Sequence, residues 1–582
     1  ESTPFRMGFF RFKLDNNDPP KVIDLEFIRS TNNNTWGLGF SEEGLVFGST
    51  ANHNPSVYMP IANRYYERVK GWAPQQLGSI ADTYKFKPVT DKVRQVDHHG
   101  GYTAAAGHAL YTARRYPQQY WNRTAFVCGP TGHLVGTFVL NPRGSDFAST
   151  SPCNLIASDD EWSAPIAAEV GPDGNVWVLD WYNYIVQHNP TPHGFKNGRG
   201  NAYESELRDK KHGRIYRVVY DAPRLMLKVD RDRLAALEVM TNDITDALRQ
   251  LNISSRVLAG RADTATIRIE LTNVSHDIDV NEFSKLVVKR TKGGEAIPLT
   301  ALADVLVMHP DGGRKSLHDA SDEELVAALS NDNMLWRLHA QRLILERGRG
   351  FDVEDAIKAL LHDKLTDDIN LNTTAIHGLW TLEGMGAMRD AKSDAMIFAQ
   401  LAMEHPSAAV RRNAVLVVPP IPFSKQSIIE ADLLGNSDPH VRQAALMKLS
   451  ETAPGDEPNV GLALARALAD SRIAHDRWLL DAATSAAAQH DVAFLFELAR
   501  EQAELAPPTL PRIAIIAEHF ARRRPNANEV ARCLVSARML PEGVQSAIIT
   551  GMAKGWPMDH DLKLGEQAEE DLAKLMVTLP AG

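Results

Sequence analysis

The stretch that most constrains this chain is a hairpin. Gly171-Pro172-Asp173-Gly174 lies between two short apolar runs, and the second, Val176-Trp177-Val178-Leu179, is β-branched and aromatic as a strand should be. Pro presets φ, Asp bonds its own backbone and Gly accepts positive φ, so the four residues specify a tight turn. The same arrangement occurs once before, in Trp36–Phe40, Ser41-Glu42-Glu43-Gly44 and Leu45–Gly48, with Gly44 in register with Gly174. A hairpin repeated at a multiple of roughly 40–50 residues points to the blades of a β-propeller.

Further strands are read at Phe9–Leu14, Val22–Phe27, Ala125–Cys128, Leu134–Leu140, Ala167–Val170 and Ile215–Val219. Gly107–Arg115 reads as a short helix or an extended loop. Residues 1–220 therefore form a partial β-propeller, with room for about four or five blades, or fewer with long loops. Residues 221–306 change character. A strand over Arg224–Asp230, helices over Arg233–Val239 and Asn242–Asn252 with Thr241 as N-cap, a short helix over Asn281–Lys285, and strands over Ile267–Leu271 and Leu286–Lys289 make a small βαβ-type α+β unit. A linker, 307–318, follows. From Asp319 to the end the chain is helical, opening on the capping box Ser321-Asp322-Glu323-Glu324. Arg337-Leu338-His339-Ala340, Arg411-Arg412-Asn413-Ala414 and Arg442-Gln443-Ala444-Ala445 repeat one pattern, the last two preceded by Val410 and Val441 and by Pro406 and Pro439. Such spacing predicts HEAT-like helix pairs over 319–582, with a generic helical bundle as the alternative. The whole is a multidomain chain: partial propeller, α+β module, all-α solenoid.

Composition excludes several functions. A net charge of −10 gives no basic face for nucleic acid. The three cysteines, Cys128, Cys153 and Cys533, form no C-x-x-C or C-x-x-C-H, which excludes a zinc ribbon and covalent haem c within this chain. No run of about 18 apolar residues is present to span a membrane. No signal peptide is read at the start; the chain opens on Glu1 and runs at once into a mid-domain strand. There is no G-x-G-x-x-G after a strand, no G-x-S-x-G and no Walker A sequence.

Three sets of residues are candidates for chemistry. His98, His99 and His108 titrate near neutrality and suit proton abstraction from an alcohol; the competing reading is hydrogen bonding to loop backbone in a propeller channel. Asp159, Asp160 and Glu161 offer oxygen ligands to a hard cation such as Ca²⁺, although consecutive acids also suit a solvated turn. Asp180 ends a strand, where it either caps the next turn or faces a ligand, and His53 is a loop residue with both readings open.

Long stretches carry a family resemblance. Ser30–Phe40, Gly48–Ser56, His99–His108, Tyr120–Phe126, Pro130–Leu134 and Asp180–Pro190 resemble the membrane-bound dehydrogenase-type proteins of Planctomycetes and Verrucomicrobia, over about 1–220 and again 317–450. That resemblance implies a propeller similar to quinone-dependent sugar dehydrogenases, HEAT-like helices, and a periplasmic or otherwise extracytoplasmic location. It also implies PQQ and Ca²⁺ as cofactors, with Trp36, His53 and Asp180 near the quinone, a small sugar or alcohol as substrate and a cytochrome as redox partner. The family's opening blades and its C-x-x-C-H are missing, so the chain as it stands is expected to be inactive. Leu227–Leu237, Asp243–Arg249, Glu282–Lys289 and Ile297–Val305 resemble instead the docking subdomain of RND efflux transporters, a subunit-contact device, without transmembrane helices. Two other functions follow: a non-catalytic scaffold binding a protein partner on its helical repeats or docking-like module, and a chimeric fragment.

Overall fold

The computed structural model describes residues 7–15, 17, 19–93, 100–186, 209, 211–220, 224–251, 253–258, 266–272, 285–308, 316–348, 350–501 and 505–577. The first region is β-rich, with several antiparallel sheets that do not close on themselves. β1 (Gly8–Leu14) and β2 (Val22–Ser30) pair; β3 (Thr35–Phe40), β4 (Val46–Thr50) and β5 (Asn54–Tyr58) form a second sheet. After the short helix α1 (Asn63–Glu67), β6 (Ala106–Leu110), β7 (Thr124–Gly129), β8 (Leu134–Arg143), β9 (Asp146–Thr150) and β10 (Asn154–Ala157) form a third. β11 (Pro165–Val170), β12 (Val176–Asp180) and β13 (Arg214–Val218) form a fourth. Both repeated hairpins are present, as β3–β4 and β11–β12, and Gly44 and Gly174 take φ of 81° and 74° in their turns.

The sheets stack face to face. A Cβ on Gly37 or Gly39 would collide with the carbonyl oxygen of Gly107 or His108, so β3 and β6 approach through backbone. That approach corrects the reading of Gly107–Arg115 as helix or loop: its first residues are strand. The alanines there suit a helix locally, but small residues are also what close sheet packing selects, and packing wins.

The middle region is an α+β unit with its own apolar core. β14 (Arg224–Asp230), α2 (Arg231–Ala236), α3 (Thr241–Gln250), β15 (Ser254–Leu258), β16 (Thr266–Thr272), β17 (Val287–Arg290), β18 (Ala296–Pro298) and β19 (Ala303–Met308) follow in order. The main sheet runs β15-β16-β14-β19 with every pair antiparallel, where a βαβ-type unit was expected. The helices lead to β15, a strand without apolar alternation, and β16 then returns beside β14. Thr241 is already helical; the first turn is held by the Asp243 carboxylate, which accepts from Met240 N–H at 2.8 Å. The helix expected over Asn281–Lys285 lies almost wholly outside the described residues.

The rest is helical: α4 (Asp322–Ala328), α5 (Met334–Arg347), α6 (Phe351–Leu360), α7 (Thr373–Gly384), α8 (Asp394–Ala402), α9 (Ala408–Val417), α10 (Pro422–Glu430), α11 (Pro439–Glu451) and α12 (Pro458–Ala469). After these come α13 (Ser471–Ala474), α14 (Arg477–Gln489), α15 (Asp491–Glu501), α16 (Leu510–Arg522), α17 (Ala527–Ala537), α18 (Glu542–Gly555) and α19 (Glu566–Met576). Ser321 and Glu324 make the expected capping box. The recurring arginine has one job in all three copies. Arg337, Arg411 and Arg442 each donate from Nη1 to the carbonyl six residues back, at 2.6, 2.7 and 2.6 Å, closing the turn before their own helix. The small partners Ala340, Ala414 and Ala445 are fully buried, as are Val410 and Val441. α5, α7, α9, α11, α14, α16 and α18 pack each against the next in one layer. No helix among the described residues is long and apolar enough to cross a membrane.

That layer seats the β-rich region, and the two share a single apolar core. The Gly171–Gly174 turn rests on the start of α5: Asn333 Nδ2 donates to Gly171 O at 2.8 Å and Trp336 Nε1 to Pro172 O at 2.8 Å. The Glu42-Glu43 turn lies between α5 and α9. Glu42 pairs with Arg337, and with Arg114 at 2.7 Å; Arg412 and Asn413 donate to Glu43 O at 2.5 and 3.1 Å. Farther on, Tyr65 donates to Glu451, Tyr66 to Asp481, and Lys70 N–H to His519 Nδ1.

Candidate functional site

The site is built around the end of β12. Asp180, almost fully buried, accepts four hydrogen bonds: Ala164 N–H at 2.6 Å and Tyr182 N–H at 2.8 Å on Oδ1, Ser163 Oγ and Tyr216 OH at 3.1 Å on Oδ2. One carboxylate thus fixes the loop before β11, the loop after β12 and the neighbouring strand β13. His133, in left-handed backbone at the β7–β8 turn, ties the same loop down through Nδ1 against Ser163 O at 2.5 Å.

On this frame sits an aromatic and charged cluster. Tyr182 is forced to φ 52°, a conformation a bulky residue adopts only where its surroundings impose it. Its ring carries the Arg214 guanidinium at 3.5 Å, and Trp162 lies 6.0 Å from Tyr182 and 5.5 Å from Tyr184. Asp160 accepts from Trp162 N–H at 3.0 Å and pairs with Arg214 at 3.3 Å, while Glu161 pairs with Lys92 at 3.2 Å. All three rings are half-buried, so each keeps some surface toward solvent. Carboxylate, guanidinium, phenol and indole groups converge here, a combination able to stack on a ligand's C–H face and to bond its hydroxyls.

The residues expected from sequence fare unequally. Asp160 and Asp180 are brought together through Arg214 and Tyr216, the first bonding both Asp160 and the Tyr216 hydroxyl. Asp159 is exposed in the same loop. His108 is in β6, fully buried, with Nε2 2.9 Å from Ser56 Oγ and its ring stacked on Phe47. Burial pushes its pKa down to about 4, so the ring is neutral. His98 and His99 lie outside the described residues. Trp36 is exposed on β3, and His53, at φ 71°, packs its ring 4.0 Å from Tyr84. Cys128 and Cys153 are free thiols.

Ca²⁺ needs six to eight oxygen ligands. Asp160 and Glu161 are each already matched to a cation, Asp180 is saturated with donors, and no three His, Cys, Asp or Glu among the described residues gather as a metal group. A flat quinone needs an open aromatic face, and that of Tyr182 is covered by Arg214. The residues of this cluster by themselves fit neither group. Sequence reasoning missed Trp162, Arg214, Tyr216 and His133 as site residues. Tyr182 and Tyr184 stood in a quoted motif but were assigned no role, and Arg214 has no local signature.

Residues 1–222 match a family described as a domain of unknown function (DUF7133), a span ending just before β14. No curated protein matches the chain. Among solved structures, the crystal structure of an engineered protein aligns over 40% of this chain and 98% of its own, at 18% identity and a TM-score of 0.15. At that score it says nothing of the fold.

Proposed function

We propose that the chain is a small-ligand-binding protein of the sugar and alcohol dehydrogenase type. Its stacked sheets are then a segment of a β-propeller, holding a sugar or polyol at the Trp162–Tyr182–Tyr184–Arg214 cluster. The helical array, a HEAT-like solenoid on this reading, serves as a rigid mount, because the layer such a solenoid would offer a partner is occupied by the chain's own β-rich region. The observation that carries the reading is Tyr182, held in strained backbone by Asp180 with its ring against Arg214 and Trp162. Strain of this kind concentrates where a side chain must be aimed. The oxidation implied by the family resemblance would call on groups outside the described residues, His98 and His99 among them.

Tryptophan fluorescence and calorimetry against a panel of aldoses, disaccharides and polyols test it. One class of panel member should bind saturably, and Tyr182→Ala or Trp162→Ala should weaken binding at least tenfold, about 1.4 kcal/mol. Tyr182→Gly should lose binding while thermal stability changes little, since Gly accepts the same φ without strain. A panel that produces neither heat nor quenching up to its solubility limits overturns the proposal.

A further inference from the structure

Away from the ligand site, where β2 meets the helical layer, lies a buried guanidinium group without a counter-charge of its own. Arg29 is 1% exposed and ranks among the largest side chains the fold encloses. Its Nη2 donates to Gln75 O at 2.8 Å, while Nε and Nη1 have no partner among the described residues. Its Cζ lies 4.4 Å over the Tyr66 ring and 6.0 Å from the centre of Trp478, whose own Nε1 is buried and unpartnered. Three N–H donors, two of them on a permanent charge, are thus closed off from water side by side. Groups of this kind are costly to bury unless something accepts from them. The surroundings add more positive charge. Arg477 lies 4.1 Å over Trp478, and Arg512 lies 5.4 Å over Trp72. All three arginines act on the one carboxylate of Asp481, whose oxygens are engaged by Tyr66 OH at 2.8 Å and Arg512 Nη2 at 2.7 Å. Asp476, beside Arg477 in the chain, is turned to Ser145.

We infer that Arg29 and Trp478 hold a monatomic anion, a halide such as chloride, which ties β2 to the start of α14. Its chemistry is selected in three ways. The excess of guanidinium groups calls for negative charge rather than a neutral guest. A water molecule would have to donate as well as accept, and Gln75 O and both Asp481 oxygens are already engaged; a halide only accepts. Enclosure sets the size. Arg29 and Trp478 are 1% and 3% exposed, so neither a phosphate nor a carboxylate on a further segment of chain has an opening through which to reach them. The ion is therefore taken in as the sheets settle on the helices, and it serves as a structural counter-ion at that seam.

The full chain, refolded from urea into halide-free sodium gluconate and titrated with sodium bromide at constant ionic strength, reads the outcome. Its melting temperature should rise saturably with bromide, as for any ligand that binds only the folded state. Crystals grown in bromide should show bromine anomalous scattering between Arg29 and Trp478. Arg29→Met should abolish the dependence. Trp478→Phe keeps an aromatic ring and removes only the Nε1 donor, so it serves even where the arginine variant folds poorly. It should raise the half-saturating bromide concentration at least tenfold. A melting temperature indifferent to bromide overturns the proposal, and so does an unchanged response in Trp478→Phe. In either case the donors meet only the faces of the neighbouring rings.

Discussion

His440 and His519 sit where the helical layer meets the sheets, and both are neutral in the fold. His440 is stacked on Phe147 at 5.3 Å; burial, then the nearby Arg412, lowers its pKa to about 4. His519 accepts Lys70 N–H at 2.8 Å, and burial, then Lys70, lowers it to about 4 as well. Burial also lowers His377, His405 and His490, and with His108 this makes three rings brought to about 4 from the unfolded value of 6.5. The unfolded chain binds more protons between those limits, so their contribution is fully present above pH 6.5 and is lost as pH falls toward about 4. Each is worth on the order of 2–3 kcal/mol. Asp491, held up to about 6 by burial, runs the other way and offsets part of the loss. Urea unfolding between pH 7.5 and 4.5 should therefore show stability falling with acid, and His440→Gln with His519→Gln should flatten the slope; an unchanged slope would refute the assignment. His108 shows the limit of residue-level reading. A histidine between Gly107 and Ala109 gives no sign that two sheets will close over it.

At the scale of elements, much was legible. Turns and helix starts are specified within about four residues, so the Gly44 and Gly174 hairpins, the Ser321 box and the Val-Arg-x-x-Ala helices could be read directly. β5, β9 and β10 could not, being short and polar or enclosed by loops. Strand β6 was misread because alanines satisfy both a helix and a tight sheet contact. Val441 belongs to the legible part. It is fully buried in α11, and Val441→Asp leaves a charge with no partner in that core. The expected loss is roughly 3 kcal/mol or more in chemical denaturation; no loss would mean that the helix packs by another face.

For the molecule as a whole, the decisive contact is Glu42. Its carboxylate meets Arg337 and Arg114, Arg114 also reaches Asp367 at 2.8 Å, and the first three side chains are almost completely buried. Beside it burial would raise Glu43, yet Arg123 and Asn122 hold its pKa at about 2. Glu42→Ala leaves the buried Arg337 guanidinium without a carboxylate and Arg114 with Asp367 alone, and should cost about 3–5 kcal/mol. Because the cluster joins the sheets to α5, the helical signal at 222 nm and the near-ultraviolet signal of the sheet aromatics should melt together in the wild type and separate in the variant. Coincident melting in both would show that the shared apolar core alone couples the regions.

What the sequence determined by itself is the identity of the pieces: turns, caps, strand alternation and helix repeats, each encoded over a few neighbouring residues. Only the tertiary structure decided which pieces meet. Glu42 and Arg337 are 295 residues apart, and Tyr182 finds Arg214 across a strand pairing. Such pairs carry no periodicity and no fixed spacing. Their partners are selected by burial, which removes water as the alternative and makes each charge depend on whichever opposite charge the packing delivers.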